Sequence, residues 1–162
     1  LYSLPDVFDE QFPNRANAFQ FDTDTHNIFI CADSNRLLSA FLELLSNAAE
    51  ADNSCGSIQI HSHVNACGHT VTVSVTGKGS LSEINPSEMQ TNPLIDADAP
   101  LTAQLSTPFF STKENHAGLG LSIVAQVCHT HHAGFELYSR NGFTTAGITF
   151  PILAMDDMRN TI

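Results

Sequence analysis

Apolar residues recur along this chain with two periods. Leu37, Leu38, Phe41, Leu44, Leu45 and Ala48 fall three and four positions apart, which predicts an amphipathic helix from Ser34, a candidate N-cap, through Ala51. Over 57–64 and again over 70–76 apolar residues alternate with polar ones, with Ile58, Ile60 and Val64 in the first run and Val71, Val73 and Val75 in the second. Period two predicts strands there, joined by a turn at 65–69, NACGH. AFQF (18–21) and NIFIC (27–31) are shorter strand candidates separated by the turn-rich DTDTH. A second helix is predicted from about Gly118 to near Gly134, followed by strands around 135–139 and 147–153 with Asn141-Gly142 turning between them. Residues 80–107 combine Ser, Asn, Asp and Pro with weak periodicity, which predicts a long loop holding one helical turn. Strands and helices mixed in this order predict a two-layer α/β sandwich over 1–162, as a single domain.

Charge changes what such a domain can bind. Seventeen acidic residues against six basic ones give a formal charge of -11, which argues against a nucleic-acid backbone or an anionic membrane surface as partner. A phosphate-bearing ligand must then be held locally. Cys31, Cys55, Cys67 and Cys128 show no CxxC spacing, and neither a signal peptide nor a long apolar run is present, so a reduced, cytoplasmic setting is expected. The first residue is not Met, and the chain reads as a piece of a longer protein.

Two places suggest chemistry. In PFFSTKENHAGLGLSIVAQV (108–127), Gly118 and Gly120 flank Leu119 at the mouth of a helix, and Lys113 lies just upstream. Glycines there let a backbone approach a ligand, and first-turn N–H groups attract phosphate oxygens; the same spacing also suits an ordinary turn before a core helix. A Rossmann fingerprint fails because its third glycine falls at Ile123, and a P-loop fails because Gly79 follows Gly77-Lys78 where Ser or Thr is needed. On the first helix Glu43 and Asn47 stand four apart and project side by side, as a carboxylate and amide suited to a hydrated magnesium ion or as a solvated face. His61, His63, Cys67, His69 and the CHTHH run at 128–132 offer nitrogen and sulfur ligands without finger spacing. With Ile58, Ile60 and Val64 opposite them, the strand histidines are expected to face solvent.

ELLSNAAEA (43–51), PFFSTK (108–113) and GLGLSIV (118–124) together resemble the asparagine, phenylalanine and second glycine boxes of sensor histidine kinases, in that family's order. The resemblance runs from about Asp33 to about Ile152, and it places the chain beside the Bergerat-type ATPases, with gyrase, the mismatch-repair ATPase and a heat-shock chaperone. It implies a Bergerat fold, a mixed sheet covered on one face by helices. It also implies an enzyme domain that passes the γ-phosphoryl group of Mg-ATP to a histidine on a separate dimerisation domain, with a response regulator as indirect partner and a parent protein that can be membrane-anchored. By the same resemblance Asn47 matches the magnesium ligand and Glu43 the residue assisting phosphoryl transfer. Gly77 and Gly79 match the first glycine box, Gly118, Leu119 and Gly120 the wrap around the triphosphate, Lys113 the phosphate region, and Thr149 a threonine beside the adenine. Residues 80–107 match the ATP lid, longer here than is usual.

Two departures bear on activity. The first glycine box of that family reads Asp-x-Gly-x-Gly, its acid accepting from the adenine amino group; with Gly77 and Gly79 as its glycines, the acid's place holds Val75. His116 stands where the second box usually leads with glycine. The resemblance therefore also admits a degenerate domain with weak or no ATP binding, kept as a signalling or interaction module.

Overall fold

The computed structural model describes residues 19–23, 28–51, 57–81, 99–110 and 117–153. Within them the chain runs β1 (Phe19–Thr23), α1 (Ser34–Ala51), β2 (Ile58–Val64), β3 (Thr70–Lys78), α2 (Leu101–Leu105), α3 (Gly120–Thr130), β4 (Gly134–Arg140) and β5 (Phe143–Pro151). The strands form one sheet in the order β1-β2-β3-β5-β4. β1 is parallel to β2 and every other pair is antiparallel, so the sheet is mixed.

Side-chain alternation decides which face the helices cover. Val71, Val73 and Val75 of β3 pair with Phe150, Ile148 and Ala146 of β5, and these residues join Ile58 and Ile60 in the core. Ala40, Leu44, Leu45 and Ala49 of α1 and Val124, Val127 and Cys128 of α3 close over them. On the opposite face Thr72 meets Thr149 at 2.8 Å and Thr76 meets Thr145 at 2.9 Å, hydroxyl to hydroxyl. His61 and His63 also lie there, rings stacked 5.4 Å apart. Two layers with one polar sheet face are the expected α/β sandwich.

Several local details differ from the sequence expectation. The cap of α1 is Asp33 rather than Ser34: its backbone carbonyl accepts from Leu37 N–H, and its carboxylate accepts from Asn35 N–H at 2.9 Å and Arg36 N–H at 3.1 Å. The bond from the Arg36 N–H leads the interactions that hold the Asp33 carboxyl below its usual range. Residues 28–31 of NIFIC form no strand. Their described link to the sheet end is one bond from Leu153 N–H to the Phe29 carbonyl, too little for a ladder, while Ile28 and Ile30 still pack on the core. α3 stops at Thr130, and the left-handed residue after it is His132 (φ 52) rather than Gly134. The two predicted turns hold: Gly68 (φ 73) turns β2 into β3, and Asn141 (φ 54) with Gly142 (φ 77) turns β4 into β5. The helical turn expected within 80–107 is α2, while 82–98 lies outside the described residues.

Cys128 is buried at the α3–sheet contact, and burial pushes its thiol up to about 11. At neutral pH it is protonated and shielded, so it should resist iodoacetamide, whereas the exposed Cys31 and Cys67 are modified. Mass spectrometry before and after denaturation checks this. Cys128 alkylated as fast as Cys67 in the folded protein would contradict its burial.

Candidate functional site

The candidate site lies where α1, α3 and the end of β3 meet. Glu43 and Asn47, one turn apart on α1, are half-buried against the first residue of α3. A Cβ placed on Gly120 would stand 2.7 Å from Glu43 Oε2, the movable end of that side chain, and 3.6 Å from Asn47 Nδ2, an ordinary contact, so both side chains of α1 reach the first residue of α3. The last turn of α1 lies on the glycines that end β3. A Cβ on Gly77 would meet that of Ala48 at 2.8 Å, and one on Gly79 would meet that of Ala51 at 3.3 Å. Helix α1 thus touches both glycine segments at once.

Just before α3, Gly118 adopts φ 67, and its carbonyl accepts from Phe109 N–H at 2.9 Å. A Cβ there would fall 2.6 Å from Phe109 C and Phe110 O. Phe109 itself sits at φ 66 and is 68% exposed. The N-cap of α3 is Leu119, with no side-chain hydrogen bond to the first turn and no acidic residue in it. First-turn N–H groups with neither a capping side chain nor a carboxylate of their own turn suit an incoming anion.

The structure brings together Glu43, Asn47, Gly120, Leu119 and Gly118, with Gly77 and Gly79 beneath the end of α1. Thr149 is not among them. It pairs with Thr72 on the sheet face turned away from both helices, which corrects its expected place in the cleft. On β5 the inward positions are those of Ala146, Ile148 and Phe150, so the threonine on that face toward the opening is Thr144, the partner of Gly77. Counting parity from Phe150 would have found it. Val75 does face the helices, as its alternation predicts, but it is 2% exposed between Ile60 and Ala146. It is a core residue, and Gly77 is the position on that face nearer the opening. Lys113 and His116 lie outside the described residues.

Thr144 also fastens the chain as it leaves β3. Its hydroxyl donates to the Gly79 carbonyl at 3.1 Å and lies 2.7 Å from the Ser139 hydroxyl, which accepts from Leu81 N–H at 2.9 Å; Gly79 N–H donates to the Gly142 carbonyl. Residues 79–81 are therefore stitched to the β4–β5 hairpin. Beside this seam a cavity of about 460 Å³ opens between Leu101 of α2 and Leu137–Ser139 of β4, and none of Glu43, Asn47 and Gly120 lines it. Among the described residues no group of three or more His, Cys, Asp or Glu is placed to hold a metal ion, and no helix is long and apolar enough to cross a membrane.

Two helices and a glycine-ended strand thus meet at one place, where the amide of Asn47 and the carboxylate of Glu43 stand beside a helix start whose N-cap Leu119 makes no side-chain bond. Residues 32–154 match the family described as Histidine kinase-, DNA gyrase B-, and HSP90-like ATPase, and the chain belongs to it. Within that family it is similar to the histidine kinases of two-component sensors. It is 33% identical over 127 residues to the sensory histidine kinase/phosphatase NtrB of Rhizobium leguminosarum bv. phaseoli, covering 75% of this chain and 32% of that protein. The chain thus spans about a third of that relative's length. The catalytic domain of histidine kinase ThkA in a nucleotide-free form superposes with TM-score 0.67 at 26% identity, over 91% of this chain and 87% of that one. ThkA in complex with the response regulator protein TrrA gives TM-score 0.66 at 25% identity, over 93% of this chain and 38% of that one.

Proposed function

We propose that this chain is the ATP-binding catalytic domain of a two-component sensor kinase, passing the γ-phosphoryl group of ATP to a histidine on a separate dimerisation domain. The observation that carries this is the convergence of Glu43 and Asn47 on Gly120 at the uncapped start of α3. Gly118 to Gly120 and the first-turn N–H groups hold the phosphates. The donor set suits magnesium, a hard cation that keeps several waters and takes one or two protein oxygens beside those of phosphate: here the Asn47 side-chain carbonyl, with Glu43 adjacent. Bound there, magnesium neutralises charge on the phosphate chain. The Glu43 carboxylate is placed to accept the acceptor's proton or to orient it, and positioning does the remainder.

The acceptor has to reach the start of α3 from outside. Phe109, Leu119 and Ile123 are 68%, 39% and 37% exposed beside it, and Leu119 and Ile123 are one helical turn apart. This apolar rim fits a helix of the dimerisation domain laid against α3. ThkA has been seen with a response regulator, and a regulator that later collects the phosphoryl group is the corresponding partner proposed here.

A second reading has its own support. Val75 is walled into the core and Gly77 lies flush under Ala48, so no side chain of β3 at these positions offers an acceptor to a base. A domain binding nucleotide weakly, as a signalling module without turnover, follows from that.

Calorimetric titration with Mg-ATP, Mg-ADP and Mg-GTP separates the two. Binding through the phosphates is expected, strengthened by magnesium, with ATP and GTP within about tenfold of each other because no base-reading hydrogen bond distinguishes them. Asn47→Ala is expected to abolish the magnesium-dependent part while costing about 1 kcal/mol of stability, since the side chain is half-buried against the start of α3 but outside the apolar core. No binding at millimolar nucleotide would favour the module. Binding unaffected by Asn47→Ala would remove the assignment of that residue.

A further inference from the structure

Helices α1 and α3 pack along their length, and polar groups join them at two separated places, one at Gly120 and one at the far end of α3. At the far end His131, the C-cap of α3, uses both ring nitrogens: Nδ1 lies 2.7 Å from the Val127 carbonyl and Nε2 lies 2.9 Å from the Asp33 backbone nitrogen. A backbone N–H only donates and a carbonyl only accepts. Nε2 therefore carries the lone pair and Nδ1 the proton, which is the neutral Nδ1–H tautomer. Asp33 is the cap of α1, so one imidazole joins the first turn of α1 to the last turn of α3.

The helices run antiparallel: the start of α1 meets the end of α3, and Glu43 and Asn47 meet its start. α3 is 11 residues long, about 16 Å, a rigid rod held at Gly120 by close approach and at His131 by hydrogen bonds. Between these points the two helices share one apolar core, to which α1 gives Ala40, Leu44 and Leu45 and α3 gives Val124, Val127 and Cys128, with Phe41 and Leu121 packed on it. Such packing resists separation but permits small pivots. We infer that His131 is a positioning residue for the cleft, a clasp that prevents α3 from pivoting about Gly118–Gly120 and so holds Glu43 and Asn47 against the first turn of α3. Its consequence for nucleotide binding rests on the function proposed above; the geometry itself does not.

The test uses the intact chain. Long-range proton–nitrogen correlation at pH 8 should show the His131 ring protonated at Nδ1 and bare at Nε2, and the opposite tautomer overturns the clasp. His131→Phe keeps bulk and removes both bonds. It is expected to shift the amide signals of Gly120 and Asn47 at the far end of α3 and to weaken Mg-ATP binding about tenfold. His131→Gln, which keeps an acceptor for Asp33 N–H, should largely restore both, and serves as the deciding variant should the Phe variant not fold. A lowered Tm with unmoved Gly120 and Asn47 signals would mean a merely structural role and overturn the inference. Shifted amides in a protein that binds no nucleotide would leave the clasp standing and remove the proposed function instead.

Discussion

Replacing Gly118 with alanine is expected to cost about 2–4 kcal/mol of stability and to eliminate nucleotide binding. Two effects add at this position. A residue with a Cβ in the left-handed region loses roughly 1–2 kcal/mol, and here the Cβ would also fall 2.6 Å from Phe109 C and Phe110 O. Those are backbone atoms, which no rotamer change can move aside. Relief requires breaking the Phe109–Gly118 bond, which would free the start of α3 from its contact with Glu43 and Asn47. Gly142→Ala is the control, because Gly142 has φ 77 with nothing within 4 Å. It should show only the backbone cost, roughly 1–2 kcal/mol. Urea denaturation of both variants measures the difference; equal losses would mean that the 109–118 contact yields freely and does not fix the cleft.

Val75→Asp is expected to destabilise by about 3–5 kcal/mol, without any gain in adenine affinity. By the family pattern the substitution restores a base-reading acid, but the side chain at 75 ends among Ile60 and Ala146 rather than in the opening. An unpartnered carboxylate there either stays ionised at high cost or takes up a proton. Its folded pKa is raised above the unfolded value, so the loss is greatest at high pH and shrinks as pH falls toward the unfolded carboxylate pKa near 4. Denaturation midpoints at pH 8 and pH 5 check the sign. A variant as stable as the parent that prefers ATP to GTP would show that the end of β3 opens further than described. The contrasting variant is Gly77→Asp combined with Ala48→Gly, which places the acid nearer the opening and removes the Cβ that stands against it.

Much of this arrangement was legible in the chain because its causes are local. The three- and four-residue spacing of the leucines puts Glu43 and Asn47 side by side but on the face away from the leucines, whereas both are half-buried against Gly120, because α3 covers that edge of α1 and comes from a distant segment; Val71-Val73-Val75 identify the inward face of β3. Alternation reports the face, however, and not how far along a strand the core gives way to the opening. Depth depends on which residues lie across from Val75, and Ile60 and Ala146 come from distant segments. Thr149 is misplaced for a related reason: resemblance marks a position in a motif but not its face, and parity on β5 turns Thr149 outward beside Thr72 and Thr144 inward opposite Gly77. NIFIC has strand composition, but among the described residues its one ladder-like bond is from Leu153 N–H to the Phe29 carbonyl, and partnering is not a local property. Asp33 took the cap from Ser34 because its carboxylate reaches two N–H groups and its carbonyl accepts the first helical bond.

The stitching of residues 79–81 to the β4–β5 hairpin has a consequence for how this domain can change over evolution. The segment that follows leaves from a point fixed by Ser139, Gly142 and Thr144, and the chain returns at α2, whose Leu101 lines the same cavity as Leu137 and Ser139. Departure and return are thus moored to one hairpin, independently of the number of residues between them. Substitutions at Ser139, Gly142 or Thr144 therefore act on the departure and the return of the chain at once, so these hairpin positions can vary only together with residues 79–81 and α2.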